Sequence, residues 1–94
     1  MIYVRICYDH PGAYDLRIKH REERQAWLRK EGPVKILQAG PLCAGDESDT
    51  YVGTFMLLEA PSREAVVAYH QDDPFTKMHI FERVFITRFK KNIG

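Results

Sequence analysis

Gln71-Asp72-Asp73-Pro74-Phe75 sets two carboxylates beside a proline and an aromatic ring. Proline disfavours the α region for the residue before it, so Asp73 is extended or turning where the preceding helical run ends. One carboxylate is thereby pinned. The plainer reading of these residues is a solvated turn, with one acid capping the short turn that follows. A pinned carboxylate becomes useful beside an imidazole, because it orients the ring and stabilises its protonated form. With an unperturbed pKa of about 6.5, histidine does that work near neutral pH. His20 is the candidate partner; its plainer reading is a partly buried histidine satisfied by backbone or by Glu23. Arg24 holds its proton and cannot act as a base. Facing a pocket, it pairs with Asp73 or binds a carboxylate or phenolate on a small ligand. Otherwise it is a solvated arginine whose stem covers Trp27.

The elements that would position these groups are legible in the pattern. Ile2 to Tyr8 is rich in β-branched and aromatic residues and reads as a strand, stopped by Asp9-His10-Pro11-Gly12. From Ala13 to Glu31 no proline or glycine intervenes, and the periodicity predicts one helix with Ala13, Leu16, His20, Trp27 and Leu28 on a shared face and Arg17 and Arg24 beside them. Gly32 and Pro33 close it. Val34 to Ala39 is a second strand ending at Gly40-Pro41, where the glycine either lets backbone approach a ligand or simply turns the chain. Cys43 to Thr50 reads as an exposed polar loop, and Tyr51 to Glu59 as a third strand. Pro61-Ser62 opens a second helix with Ser62 as N-cap. Phe75 to Phe81 makes a further helical turn, and Glu82 to Phe89 is the last strand.

The order β-α-β-β-α-β predicts an α+β, ferredoxin-like antiparallel sheet with both helices on one face. Apolar residues occupy both alternation sets of the later strands, Val84, Ile86, Phe55 and Leu57 against Phe85, Phe89, Met56 and Leu58. The uncovered face, assigned Val84 and Ile86, therefore predicts a homodimer joined sheet to sheet.

Ninety-four residues make one domain, 1–94, and a 45% apolar share suits a globular chain. A net charge of +1 with interspersed signs argues against a nucleic-acid partner. No apolar run approaches the roughly 20 residues that span a bilayer, and no signal segment opens the chain, so a cytoplasmic protein without a membrane partner is expected. Cys7 and Cys43 lack metal or redox spacing, and His10, His70 and His79 do not form a metal set. No phosphate-cradling glycine loop is present. No cofactor is expected.

Asp9-x-Pro11-Gly12, Leu16-Arg17-x3-Arg21, Trp27-Leu28, Ala39-Gly40-Pro41, Asp73-Pro74-Phe75 and Arg88-Phe89-Lys90-Lys91 occur in an order and spacing that resembles the YCII-related domain family. The resemblance runs nearly end to end. It implies the dimeric α+β barrel fold and a small-molecule pocket in each subunit, bounded by the first helix, the turn after strand two and the Asp-Pro segment. It further implies a histidine-aspartate pair, with Asp73 matching the family's aspartate. Arg24 stands where the family has its histidine, and His20 lies one turn earlier. On that basis His20 and Asp73 are the catalytic candidates, and Arg24, Gly40, Pro41 and Phe75 the ligand-binding ones. The function expected is a small cofactor-independent lyase or isomerase moving a proton on a cyclic or phenolic compound. The alternative is a non-catalytic binding or accessory domain, in which Arg24 replaces the base and occupies Asp73.

Overall fold

The computed structural model covers residues 1–94. β1 (Ile2–Asp9) is followed by α1 (Tyr14–Lys19) and α2 (Arg21–Leu28), then β2 (Lys35–Gly45), β3 (Ser48–Glu59), α3 (Arg63–Asp72), α4 (Pro74–Lys77) and β4 (Phe81–Phe89). The sheet runs β2-β3-β1-β4, with every neighbouring pair antiparallel. This is the ferredoxin-like arrangement.

Alternation along β1 turns Tyr3, Arg5 and Cys7 under the helices, and their partners Thr54, Met56 and Leu58 follow on β3. The main core joins Tyr3, Trp27, Val34, Met56, Leu58, Ala60 and Val66, and a smaller one forms around Ala13, Phe75 and Ile80. Trp27 stacks on Tyr69 with centroids 4.5 Å apart, tying α2 to α3. Gly53 has no room for a side chain: a Cβ there would lie 2.4 Å from the Cys7 carbonyl oxygen.

Several sequence-based expectations change. The helix expected over Ala13 to Glu31 is two helices that meet at His20, whose backbone (φ −107°, ψ 18°) leaves the helical region, and α2 ends at Leu28. Gly32 is no left-handed cap, since Gly12 and Gly94 are the glycines with positive φ. The face that packs inward carries Ala13, Arg17, Arg24 and Trp27, while Leu16 is exposed. The two arginines turn in because buried carboxylates meet them there. The supposed loop from Cys43 to Thr50 is a hairpin: β2 continues through Pro41 to Gly45, which pairs with Ser48 across Asp46 and Glu47. Proline is tolerated in β2 because β2 is an edge strand.

The register also reverses the faces assigned to the last strand. Val84 pairs with Cys7 and Ile86 with Arg5, so both belong to the helix side. Phe85 and Phe89 instead join Ile2, Val4, Ile6, Phe55 and Leu57 on the face without helices. Cys43 is exposed and Cys7 is buried. No helix is long and apolar enough to cross a membrane.

Candidate functional site

Ser62 starts α3 by accepting from the Ala65 amide, and the helix stops at Asp73, held extended (φ −61°, ψ 125°) by the proline after it. Asp73 is at once the end of α3 and the N-cap of α4: its Oδ1 accepts from the Phe75 amide at 2.9 Å. That geometry turns the carboxylate inward, where it is wholly buried. A buried carboxylate demands positive partners. Arg5 Nη2 donates to Oδ2 at 2.9 Å and Arg24 Nη2 donates to the same oxygen at 3.0 Å. Arg24 Nε also lies 2.9 Å from Oδ1, with its N–H off the line, so that contact is one of charge and not a hydrogen bond.

Arg5 is completed by His70, whose Nδ1 accepts from Nε at 3.0 Å and from Nη2 at 2.7 Å. A nitrogen that accepts from a guanidinium carries no proton, so His70 is the neutral Nε2–H tautomer. Burial first, and Arg5 second, push its pKa down to about 4. Burial likewise lowers the pKa of Arg24, with Asp73 opposing. A second buried pair lies alongside. Arg17 donates through Nε and Nη2 to Asp9, the latter at 3.0 Å to Oδ1, and through Nη2 to Thr54 Oγ1 at 2.8 Å. Phe75 lies against both guanidiniums, 4.4 Å from that of Arg24 and 5.1 Å from that of Arg17.

Above these pairs is a cavity of about 300 Å³ between α1–α2 and the β2–β3 half of the sheet. That is the lower end of the range, about 300–1,000 Å³, in which small molecules are bound. Arg17, Arg21 and Arg24 line one side, Leu28, Met56 and Phe75 supply apolar walls, and Ala39, Gly40 and Pro41 form the strand-side rim. Arg24, Gly40, Pro41 and Phe75 therefore share one cavity.

His20 is elsewhere. It sits at the α1–α2 junction, its ring partly in solvent, and its nearest carboxylate is Glu23 at 4.0 Å. None of the contacts around Asp73 is made by His20, and His20 does not line the cavity. The break in the helix carries it off the inward face. Sequence reasoning missed Arg5, Asp9, Thr54 and His70. Arg5 carried a signal, a charge at an inward alternation position between Tyr3 and Cys7; His70 carried only its place just before the Asp72-Asp73 pair, which reads as reach to the pocket mouth or, more readily, as exposure.

A family model described as the YCII-related domain matches residues 1–90. Protein YciI from Escherichia coli is 31% identical to this chain over 97% of it and 98% of the relative, and the same protein from Shigella flexneri gives the same figures. Among solved structures, 5-chloro-2-hydroxyhydroquinone dehydrochlorinase (TftG) from Burkholderia phenoliruptrix, in complex with 2,5-dihydroxybenzoquinone, superposes with a TM-score of 0.87 at 31% identity, covering 98% of this chain and 96% of that one. At3g17210 from Arabidopsis thaliana, 17% identical with a TM-score of 0.53 over 99% of this chain and 96% of that one, shares the fold.

Proposed function

The chain belongs to the YCII-related domain family, and from that premise we propose that the cavity binds a small oxygenated ring compound and turns it over, as a cofactor-independent enzyme of the lyase or isomerase kind. One observation carries the reading: a cavity of ligand size walled by Arg17, Arg21 and Arg24 on one side and by Leu28, Met56 and Phe75 on the others. The ligand of the similar dehydrochlorinase supports the ring class.

In this reading Phe75 and Leu28 flank the ring, and Arg24 faces the oxygen on which charge gathers as a proton leaves. A fixed cation beside apolar walls favours that oxyanion without having to reorganise, which is the largest single contribution in many active sites. Asp73 holds Arg24 in position. Arg5, Arg24 and the Phe75 amide already occupy its oxygens, so the proton is assigned to water entering at the exposed Arg21 rim and not to Asp73.

That occupancy favours a second reading, a binding domain without turnover. Calorimetry with 2,5-dihydroxybenzoquinone, followed by an absorbance assay on the chlorinated hydroquinone, separates the two. Binding that weakens about tenfold or more in Arg24→Gln, as loss of a charged hydrogen bond implies, together with chloride release, supports the enzyme. Binding without release supports the domain, and no binding removes both.

We further take the working unit to be a homodimer. The support is the helix-free face, where Ile2, Val4, Ile6, Phe55, Leu57, Phe85 and Phe89 stand together and Phe85 is 49% exposed.

A further inference from the structure

The positive charge around the cavity is not balanced by the protein. Three guanidiniums, those of Arg5, Arg17 and Arg24, are buried. Two buried carboxylates answer them, Asp9 for Arg17 and Asp73 for both Arg5 and Arg24. His70, accepting from Arg5, is neutral and adds no negative charge. One positive charge is left over in a place where unpaired charge is costly. Arg21 adds a second at the rim: it lines the cavity, is exposed, and takes part in no ion pair. No aspartate or glutamate lines the cavity.

The two excess charges are at different depths. Arg24 is 6% exposed at the floor, and its Nη1 makes no hydrogen bond within the protein. Arg21 lies three residues earlier on the same helical face, toward solvent. The wall around Arg24 is apolar, with Phe75 4.4 Å from its guanidinium and Leu28 one helical turn beyond it.

We propose that the cavity selects a planar ring carrying two anionic oxygens on opposite edges, a dianion, with one edge on Arg24 and the other on Arg21. This rests on the reading of the cavity as a ring-binding site and specifies the charge of what it takes. A monoanion would neutralise the floor and leave Arg21 unmatched. A neutral ring would leave both. The class is that of dihydroxyquinones, whose vinylogous acid hydroxyls are both ionised near neutral pH, and of aromatic 1,4-dicarboxylates.

The test keeps the ring constant and changes only its charge. Near neutral pH, 2,5-dihydroxy-1,4-benzoquinone is a dianion, its monomethyl ether a monoanion and its dimethyl ether neutral. Calorimetry on the wild-type protein is expected to show the dianion binding about threefold more tightly than the monoanion, as one ion pair to an exposed arginine implies. The neutral ether is expected to bind weakest. Because Arg21 is exposed, added salt should narrow the first gap. Arg21→Gln, a change at the surface, should bring the first two affinities together. Equal affinity of monoanion and dianion in the wild type overturns the dianion and leaves ring binding intact. Failure of all three to bind overturns the ring reading and this inference with it.

Discussion

Arg5 Nη2 and Asp73 Oδ2 are 2.9 Å apart, and neither side chain has any exposure to solvent. The pair is the structural centre of the site, because Asp73 ends α3, caps α4 and holds Arg24, while Arg5 stands in the central part of the sheet between β3 and β4. The role this gives Asp73 differs from that of a catalytic acid on a rigid frame.

Asp73→Asn leaves two buried guanidiniums facing an uncharged amide. Breaking a buried pair from one side costs about 3–5 kcal/mol. At about 4–8 °C per kcal/mol for a domain of this size, the melting temperature should fall by more than about 10 °C. A melting curve within a few degrees of wild type would show that the array contributes little to folding.

His70 makes the fold acid-sensitive. Its pKa in the folded protein is about 4, below the 6.5 of a free imidazole, so between these values the unfolded chain binds the proton that the native state refuses. Stability is therefore intact above pH 6.5 and declines as pH falls toward 4. Allowing for solvent screening of a half-buried ring, the loss is on the order of 1–2 kcal/mol. His70→Gln can still accept from Arg5 and does not titrate. Denaturant melts of the two proteins should diverge progressively below pH 6.5; parallel profiles would remove His70 as the cause.

A charge at Phe85 should separate the proposed dimer. Phe85 pairs with Ile6 on the face without helices, whereas Val84 and Ile86 face the helices, where a charge would disturb the core. Phe85→Glu is expected to elute at half the wild-type mass in size-exclusion chromatography with light scattering. An unchanged mass would place any interface elsewhere.

The two thiols should behave differently. Cys7 is fully buried and its pKa is raised to about 11 by burial, with Arg5 opposing, so it is neither accessible nor ionised near neutral pH. Cys43 is exposed. A disulfide reagent should titrate one thiol rapidly in the native protein and two after denaturation; two fast thiols would mean that β1 opens readily.

The sequence by itself determined the order of elements, the antiparallel ferredoxin-like sheet and the extended conformation at Asp73, because period-two and helical alternation, proline and local capping act within a few residues of the chain. It also made Arg24 a candidate for pairing with Asp73. Tertiary structure decided what surrounds that acid. His20 belongs to the helical pattern but is turned aside by a break that no proline or glycine announces, and Arg5 reaches both Asp73, 68 residues away, and His70, 65 residues away, from the neighbouring sheet. Which face of β4 lies inward was likewise a matter of register: a shift of one residue exchanges Val84 and Ile86 with Phe85 and Phe89, and only the pairing with β1 fixes it.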